Sequence, residues 1–472
     1  MNRLPFIALV GLLLTPSVAF PHAGALPQSL DVLRFPGDED ALSLETTFGV
    51  VVSADSQQWR WICHETIIRD MTAVLPRYTQ NRDGVLLAYT NLLSEALADP
   101  RESVYRSEDG CDWVAPLGLT DAVVADVAFD PEDGSLAVAA LANLKPESDN
   151  GLRFSNDGGA SWAPALVDDD DRIFRSVLFA PGGNGFVWAT AARFSVLQAW
   201  VARSSDSGQT WESQPLDFPV NESTQVLMDI AAASADGTSV WVRVDAPNTD
   251  HILRSTDGGL NFTEVFSVED IIHDAALDPS GTLWIITEES GLHRSDDGVT
   301  FSPVPDAPRA FGLDADQRGL LVAANIWYED YSMAVSEDGL SFEPLMSRNY
   351  AEIQGPVECP EDSLSTQFCD PAWHMLTNQL GRGGDDDDSA GDDDTGDDDD
   401  NTTDEPPGPG PGDDDDDGTE EGCQCAASAV APTKPSARLL GCLTALFVIA
   451  WRRDRALESA IHWTTDTGSN SA

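Results

Sequence analysis

The sequence predicts an all-β fold, a seven-bladed β-propeller followed by a disordered acidic linker and a short C-terminal hydrophobic helix. A turn with the pattern Ser-x-Asp that ends in Trp or Phe occurs seven times, at intervals of 40 to 54 residues. This interval is the length of one four-stranded blade. Runs of β-branched and aromatic residues flank the turns, as expected for strands. The central aspartates are Asp55, Asp109, Asp157, Asp206, Asp257, Asp297 and Asp338.

Each turn has the composition of a tight hairpin. The Ser and Asp side chains are suited to bind neighbouring backbone amides, and Gly supplies the positive φ that such turns need. In the copy at residues 255–262, an apolar run follows the turn at 262–266. Further apolar runs precede each turn, and the pattern fits a unit of four strands.

The turns resemble the aspartate box of the bacterial neuraminidase repeat, and the resemblance covers roughly residues 30–346. It implies a propeller similar to those of sialidases, sortilin ectodomains and photosystem assembly factors. In that family the aspartate box is a structural hairpin between the third and fourth strands of a blade, and it lies away from the ligand. The resemblance therefore assigns the seven aspartates a structural role.

Up-and-down connectivity places the boxes on the same face as the joins between strands one and two. The opposite face, where propellers usually bind ligands, carries the joins between strands two and three. The ligand-face candidates on those joins are Asn143, Lys145, Arg193, Phe194, Trp327, Tyr328 and Tyr331. The Trp and the two Tyr, which are flanked by carboxylates, are suited to stack on a sugar or to hold a cationic side chain, and ordinary packing at the rim is the alternative.

The function predicted from these features is that of a binding or protein-interaction module. A sialidase-like glycoside hydrolase is the first alternative, although the Arg-Ile-Pro motif that opens such enzymes is absent and no catalytic residue is assigned. An assembly factor for an envelope protein is the second alternative. We expect no cofactor and no metal, because the histidines lack the spacing of metal ligands.

The chain is strongly acidic. It has 81 acidic and 26 basic residues among 472, a formal net charge of −55. Such a surface disfavours nucleic acid and anionic lipid as partners. The predicted partner is an unknown protein or glycan.

The N-terminus predicts export and the formation of disulfides. Residues 1–19 have a basic start, an apolar core and a small-residue cleavage site, as in a secretory signal peptide. Four cysteines lie within the propeller and its C-terminal extension, residues 30–380. Their positions favour the pairs Cys63 with Cys111 and Cys359 with Cys369, and independent buried thiols are the alternative.

The C-terminus predicts attachment to the cell surface or outer membrane. An Asp-rich linker at 383–422 precedes a segment, 423–455, that contains Cys423 and Cys425, an apolar run and an arginine cluster. This order resembles the myxobacterial C-terminal sorting signal, which implies surface display and a membrane sorting protease. A plain membrane anchor without processing is the alternative. The apolar run of 13 residues is short for a membrane span, and a polar tail follows at 456–472.

Overall fold

Seven sheets, built from consecutive antiparallel strands apart from one added C-terminal strand, form a β-propeller in this computed structural model. The structure describes residues 27–35, 40–67, 75–90, 103–119, 122–143, 150–167, 172–193, 198–216, 227–246 and 249–382. The sequence-based prediction of a seven-bladed all-β propeller is confirmed.

The strands follow one another along the chain, blade by blade. Blades 1 to 3 contain β1 (Ser29–Arg34), β2 (Leu42–Thr46), β3 (Gly49–Ser53), β4 (Trp59–Cys63), β5 (Arg77–Gln80), β6 (Leu86–Tyr89), β7 (Val104–Ser107), β8 (Val124–Phe129), β9 (Ala137–Leu141), β10 (Gly151–Ser155) and β11 (Ala163–Val167). Blades 4 and 5 contain β12 (Ile173–Phe179), β13 (Val187–Arg193), β14 (Gln198–Ser204), β15 (Glu212–Pro215), β16 (Leu227–Ala233), β17 (Val240–Asp245), β18 (Asp250–Ser255) and β19 (Thr263–Val268). Blades 6 and 7 contain β20 (Ile272–Leu277), β21 (Leu283–Thr287), β22 (Gly291–Ser295), β23 (Ser302–Pro303), β24 (Ala310–Asp316), β25 (Gly319–Ala324), β26 (Tyr331–Ser336) and β27 (Glu343–Ser347).

Five blades have four strands, and the first two blades depart from this number. Blade 2 has three strands, and its fourth position is reduced to a single bridge between Arg106 and Val114. Blade 1 has five, because β28 (Ile353–Pro356) adds to the outer side of β4 in parallel. The extra strand comes from the C-terminal extension, so blade 1 is where the two ends of the ring are joined.

The aspartate boxes share a face with the joins between the first and second strands, as connectivity predicts. In blade 3 the amide of Gly158 in the box donates to the carbonyl of Ser135 in that join, at 2.9 Å. Gly258 and Thr238 make the equivalent bond in blade 5, also at 2.9 Å. We call this the box face, and the opposite side the ligand face.

Box glycines bring the turns of blades 2 to 7 against the preceding blade, whereas the box of blade 1 has no glycine. A Cβ on Gly110 would lie 2.7 Å from Cδ1 of Ile62, and one on Gly208 would overlap Val138. Both glycines also have positive φ, 75° and 88°, a region that side chains disfavour. The turns therefore contribute to packing between blades as well as to the hairpin.

A helix that the sequence analysis did not predict follows β28. Helix α1 (Leu364–Gln379) begins at Ser363, whose hydroxyl accepts a hydrogen bond from the amide of Thr366. Its apolar side packs on blade 1 through Cys369, Ala372 and Leu376. The apolar spacing of three to four residues was the available signal, although Pro371 within the helix obscures it.

The four cysteines of the extension and of blades 1 and 2 form two disulfides, but the predicted pairing is wrong. Cys63 is bonded to Cys369 and Cys111 to Cys359, with Cα atoms 5.4 and 5.6 Å apart. The prediction paired cysteines that are close in sequence. The extension instead crosses the outer edge of blade 1, so that each of its cysteines meets one from the first two blades.

Three of the predicted segments lie outside the described residues. They are the signal peptide at 1–19, the acidic linker at 383–422 and the sorting segment with its tail at 423–472. Within the described part of the chain, no helix combines the length and the apolar character needed to cross a membrane.

Candidate functional site

A belt of side-chain hydrogen bonds joins each blade to the inner strand of the next blade around the ring. Typically a carboxylate on one blade accepts from a backbone amide on the next, as Asp126 does from Val177 at 2.9 Å and Asp274 from Leu313 at 2.8 Å. We call this set the inner belt. Its members are Glu45, Tyr89, Asp126, Ser176, Asp250, Asp274 and Asp314, with one member for each of the seven junctions.

Burial sets the protonation behaviour of the belt carboxylates. Burial raises the pKa of Asp126, Asp274 and Asp314, although the backbone donors oppose that rise. Their oxygens serve the junctions between blades. This role in assembly makes them poor candidates for a pair of freely reacting carboxylates.

An ion-pair group with a buried Glu45 and a partly exposed Arg77 lies at the junction of blades 1 and 2. The guanidinium of Arg77 contacts Asp31 Oδ2 at 2.5 Å and Glu45 Oε2 at 3.0 Å. Burial raises the pKa of Glu45 to about 7, while the charge of Arg77 and the amide of Tyr78 act in the opposite direction. Glu45 on blade 1 accepts from the amide of Tyr78 and contacts the guanidinium of Arg77, and both of these residues belong to blade 2. The group therefore connects the first two blades.

The box aspartates show the opposite electrostatic behaviour. In each of the seven boxes the Ser hydroxyl donates to the Asp carboxylate. Asp297 also accepts from the amides of Thr300 and Val299 at 2.6 and 2.8 Å, and these bonds hold its pKa well below its usual range. Five of the seven aspartates are exposed and two, Asp55 and Asp206, are half-buried, and all of them close their own hairpins, an arrangement consistent with the structural role that the resemblance assigns.

An exposed aromatic pair lies on the ligand face of blade 7. Trp327 is 50% exposed and Tyr328 is 44% exposed, in the turn at residues 325–330 that joins β25 to β26. We call this segment the aromatic turn. The amide of Trp327 donates to Asn325 Oδ1 at 3.1 Å, and that of Tyr328 to the Asn325 carbonyl at 3.0 Å. The turn is thus held by its own first residue.

Arg309 connects the aromatic turn to the start of the inner strand β24. Its guanidinium carbon lies 4.2 Å from the ring centroid of Tyr328, and its amide donates to Glu329 Oε1 at 3.0 Å. The amide of Asn325 in turn donates to the Arg309 carbonyl at 2.8 Å. Sequence reasoning missed Arg309, because it precedes the turn by 16 residues and no local pattern marks it.

The other predicted ligand-face residues are separated from the aromatic pair. Tyr331 packs into the core of blade 7, and burial raises its pKa to about 12. Asn143 and Arg193 lie on blades 3 and 4. Asn143 is bonded to Asn150, at 2.7 Å through its amide and 2.9 Å through its carbonyl. Lys145 and Phe194 lie outside the described residues.

A groove of about 240 Å³ lies on the box face between blades 6 and 7. At the two preceding junctions, indole Nε1 of Trp188 and of Trp241 donates across to the next box, at 3.2 Å each. In blade 6 the equivalent Trp284 donates to Asp278 of its own blade, also at 3.2 Å. The groove therefore marks a junction at which this cross-blade bond is lost, and its Arg294 is already bonded to Asp296 at 2.8 Å.

Sequence reasoning missed the inner belt as a whole. The signal was an aspartate inside an otherwise apolar inner strand, as in Val124–Phe129 and Ile272–Leu277. A buried charge in a strand requires a partner. No group of three or more His, Cys, Asp or Glu side chains in the described ranges is arranged to hold a metal ion.

The fold and the two faces define this chain as a seven-bladed β-propeller with structural aspartate boxes and an exposed aromatic turn. No family model matches it. A xyloglucanase from Paenibacillus sp is 26% identical over 269 residues, which is 46% of this chain and 25% of that enzyme. The chain thus matches only a quarter of the length of this relative.

Solved structures similar to this chain include other propellers. The GH74 xyloglucanase of Xanthomonas campestris has a TM-score of 0.49 at 16% identity and covers 67% of this chain and 53% of its own. YCF48 from Cyanidioschyzon merolae has a TM-score of 0.39 at 14% identity, with 60% and 86% covered. At these identities and scores the likenesses carry no information about the activity of this chain.

Proposed function

We propose that this chain is an exported, surface-displayed propeller that acts as a ligand-binding module. The observation that carries the proposal is the exposed aromatic turn on the ligand face, whose backbone is held by Asn325 and whose Tyr328 ring lies against Arg309. Exposed aromatic side chains on a hydrogen-bonded turn present a large contact area at low entropic cost. The box face, by contrast, presents carboxylates that are bonded within their own turns.

Binding without turnover is favoured because the belt carboxylates already accept hydrogen bonds from neighbouring blades. A glycosidase needs one carboxyl group that protonates the leaving group and a second carboxylate that is free to attack the sugar or to activate water. Two disulfides support an exported location, since such bonds persist in oxidising compartments. Attachment through 423–455, with the acidic linker as a spacer, completes the proposal.

Glycoside hydrolysis is the second candidate, and the similarity to the Paenibacillus xyloglucanase favours it. The two candidates are separated by incubating the full-length chain with a panel of soluble polysaccharides and measuring both retention and newly formed reducing ends. A binding module retains a ligand and forms no reducing ends. Turnover that disappears in Glu329→Gln or Asp330→Asn, on the ligand face, would establish the hydrolase instead.

Display is tested on intact cells that express the full-length chain. We expect added protease to release a soluble fragment of about residues 24 to 380 that retains both disulfides, because the composition of the Asp-rich linker predicts a segment that protease can reach. A chain that protease reaches only after cell lysis would contradict surface display, and this result is independent of any ligand.

A further inference from the structure

The aromatic turn has an electrostatic environment that selects among ligands. Tyr328 and Trp327 are nearly half exposed, and the Arg309 guanidinium lies 4.2 Å from the centroid of the Tyr328 ring. An aromatic ring attracts a cation through its quadrupole, and here the chain supplies that cation itself. A cationic ligand that approached Tyr328 would meet a positive charge already in place.

Anionic ligands are disfavoured at the same position. Glu329 and Asp330 belong to the turn, and the whole chain has a formal net charge of −55. The Arg309 guanidinium lies over the Tyr328 ring and the Arg309 amide donates to Glu329 Oε1, so the acidic side chains of the turn oppose the approach of an anion to this cation. Repulsion by the wider surface acts on any polyanion that approaches.

We propose that the aromatic turn binds a neutral polysaccharide, with the apolar face of a pyranose ring against Trp327. This inference rests on the proposed binding function and specifies its ligand class. A neutral sugar offers C–H groups for the indole and hydroxyl groups for the polar edge formed by Arg309 and Glu329. A neutral sugar is repelled neither by the charge of Arg309 nor by the acidic surface.

The proposal is tested with polysaccharides that share one cellulose backbone and differ in charge. The full-length chain is examined by affinity electrophoresis and calorimetry with hydroxyethylcellulose, carboxymethylcellulose and quaternised hydroxyethylcellulose, which are neutral, anionic and cationic. Xyloglucan, galactomannan and dextran extend the neutral set. We expect at least one neutral polymer to bind about tenfold more tightly than charged derivatives of the same backbone, which is about 1.4 kcal/mol.

Variants test the position of the site. We expect Trp327→Ala to weaken binding of the neutral polymer about tenfold. Leu340→Ala, which removes a side chain 55% exposed on the box face, should leave binding unchanged. Arg309→Ala should increase binding of the cationic derivative, because the ring of Tyr328 loses its own cation. Thermal unfolding of each variant confirms that it is folded.

The outcomes separate the ligand class from the binding function. Equal or tighter binding of a charged derivative, or neutral binding that survives Trp327→Ala, overturns the proposal and leaves a binding module. The same holds if no polysaccharide binds while an envelope protein is retained in a manner that depends on Trp327. Absence of every ligand, with folded protein, overturns both the ligand class and the binding function.

Discussion

Carboxylates in the boxes and in the inner belt both accept hydrogen bonds from backbone amides, but their pKa values, where they shift, move in opposite directions. Asp206 in a box and Asp126 in the inner belt both accept backbone amides, from Thr210 at 2.8 Å and from Val177 at 2.9 Å. The pKa of Asp206 is lowered although burial opposes the shift, because hydroxyl and amide donors in its turn favour the ionised form. The pKa of Asp126 is raised, because burial outweighs its donors.

Replacement of a box aspartate should affect stability and leave binding intact. Asp206→Ala removes acceptors for the Thr210 amide, the Thr210 hydroxyl and the Ser204 hydroxyl. We expect the free energy of unfolding to fall by about 1–2 kcal/mol, measured by chemical denaturation. Asp206→Asn, which keeps one acceptor oxygen, is the matched control and should lose less. A folded Asp206→Ala protein that no longer binds its ligand would show that the box face takes part in recognition.

The ring is closed by contacts between strands of blades 1 and 7 and by the C-terminal extension. Blade 1 combines the four N-terminal strands with β28 from the C-terminal extension, while blade 7 is built from β24 to β27 alone. Asp314 of β24 accepts the amide of Arg34 at 2.8 Å, and a Cβ on Gly312 would lie 2.6 Å from Cα of Asp31. The ring is therefore closed in two ways, by the close approach of the inner strands β1 and β24 and by the C-terminal extension that adds to blade 1.

The extension should stabilise the closed ring mainly through its disulfides. We expect Cys63→Ser combined with Cys369→Ser to reduce the free energy of unfolding by about 2–5 kcal/mol, because the bond closes a very long loop. Chemical denaturation with and without reductant gives the measurement. Reductant should narrow the difference between wild type and variant.

Peptide mapping under non-reducing conditions provides the control for the connectivity. Fragments that join Cys63 to Cys369 and Cys111 to Cys359 are expected. Recovery of a fragment that joins Cys63 to Cys111 would contradict the path of the extension across blade 1.

The molecule as a whole contains two opposed sets of carboxyl groups. The box carboxyls that shift, such as Asp257 and Asp297, have lowered pKa values, so their contribution is lost as the pH falls. Glu45 has a raised pKa, about 7, so the folded state binds its proton more tightly than the unfolded state does. The contribution of Glu45 is therefore greatest below its unfolded pKa of about 4.5 and declines as the pH rises to about 7.

We predict that the unfolding temperature is highest near about pH 5 and falls towards pH 8, with Glu45 accounting for a loss on the order of 2 kcal/mol. Asp31, Asp126 and Arg77 face Glu45, and Arg77 reduces the size of this loss. Differential scanning calorimetry across pH 3 to 8 gives the profile. Glu45→Gln should flatten the segment between pH 5 and 7, and an unchanged slope in this variant would remove Glu45 as its source.

Local hydrogen bonding explains how much of the architecture could be predicted. The box bonds join residues two to four positions apart, so a repeated motif reveals the hairpins and the number of blades. The same motif identifies the box face and directs attention to Trp327 and Tyr328 on the other side. Tyr331 follows the same pattern in sequence but packs inward, because burial in blade 7 depends on partners from other strands.

The sequence by itself determined the repeat, the fold class and the two faces, because turn chemistry and strand patterning act over a few residues. Only the tertiary structure decided the inner belt, the disulfide pairing and the position of Arg309 beside Tyr328. These contacts depend on how the blades curve around the channel. The two disulfides join cysteines 306 and 248 residues apart, and no local preference of the chain specifies which distant residues the closed ring brings into contact.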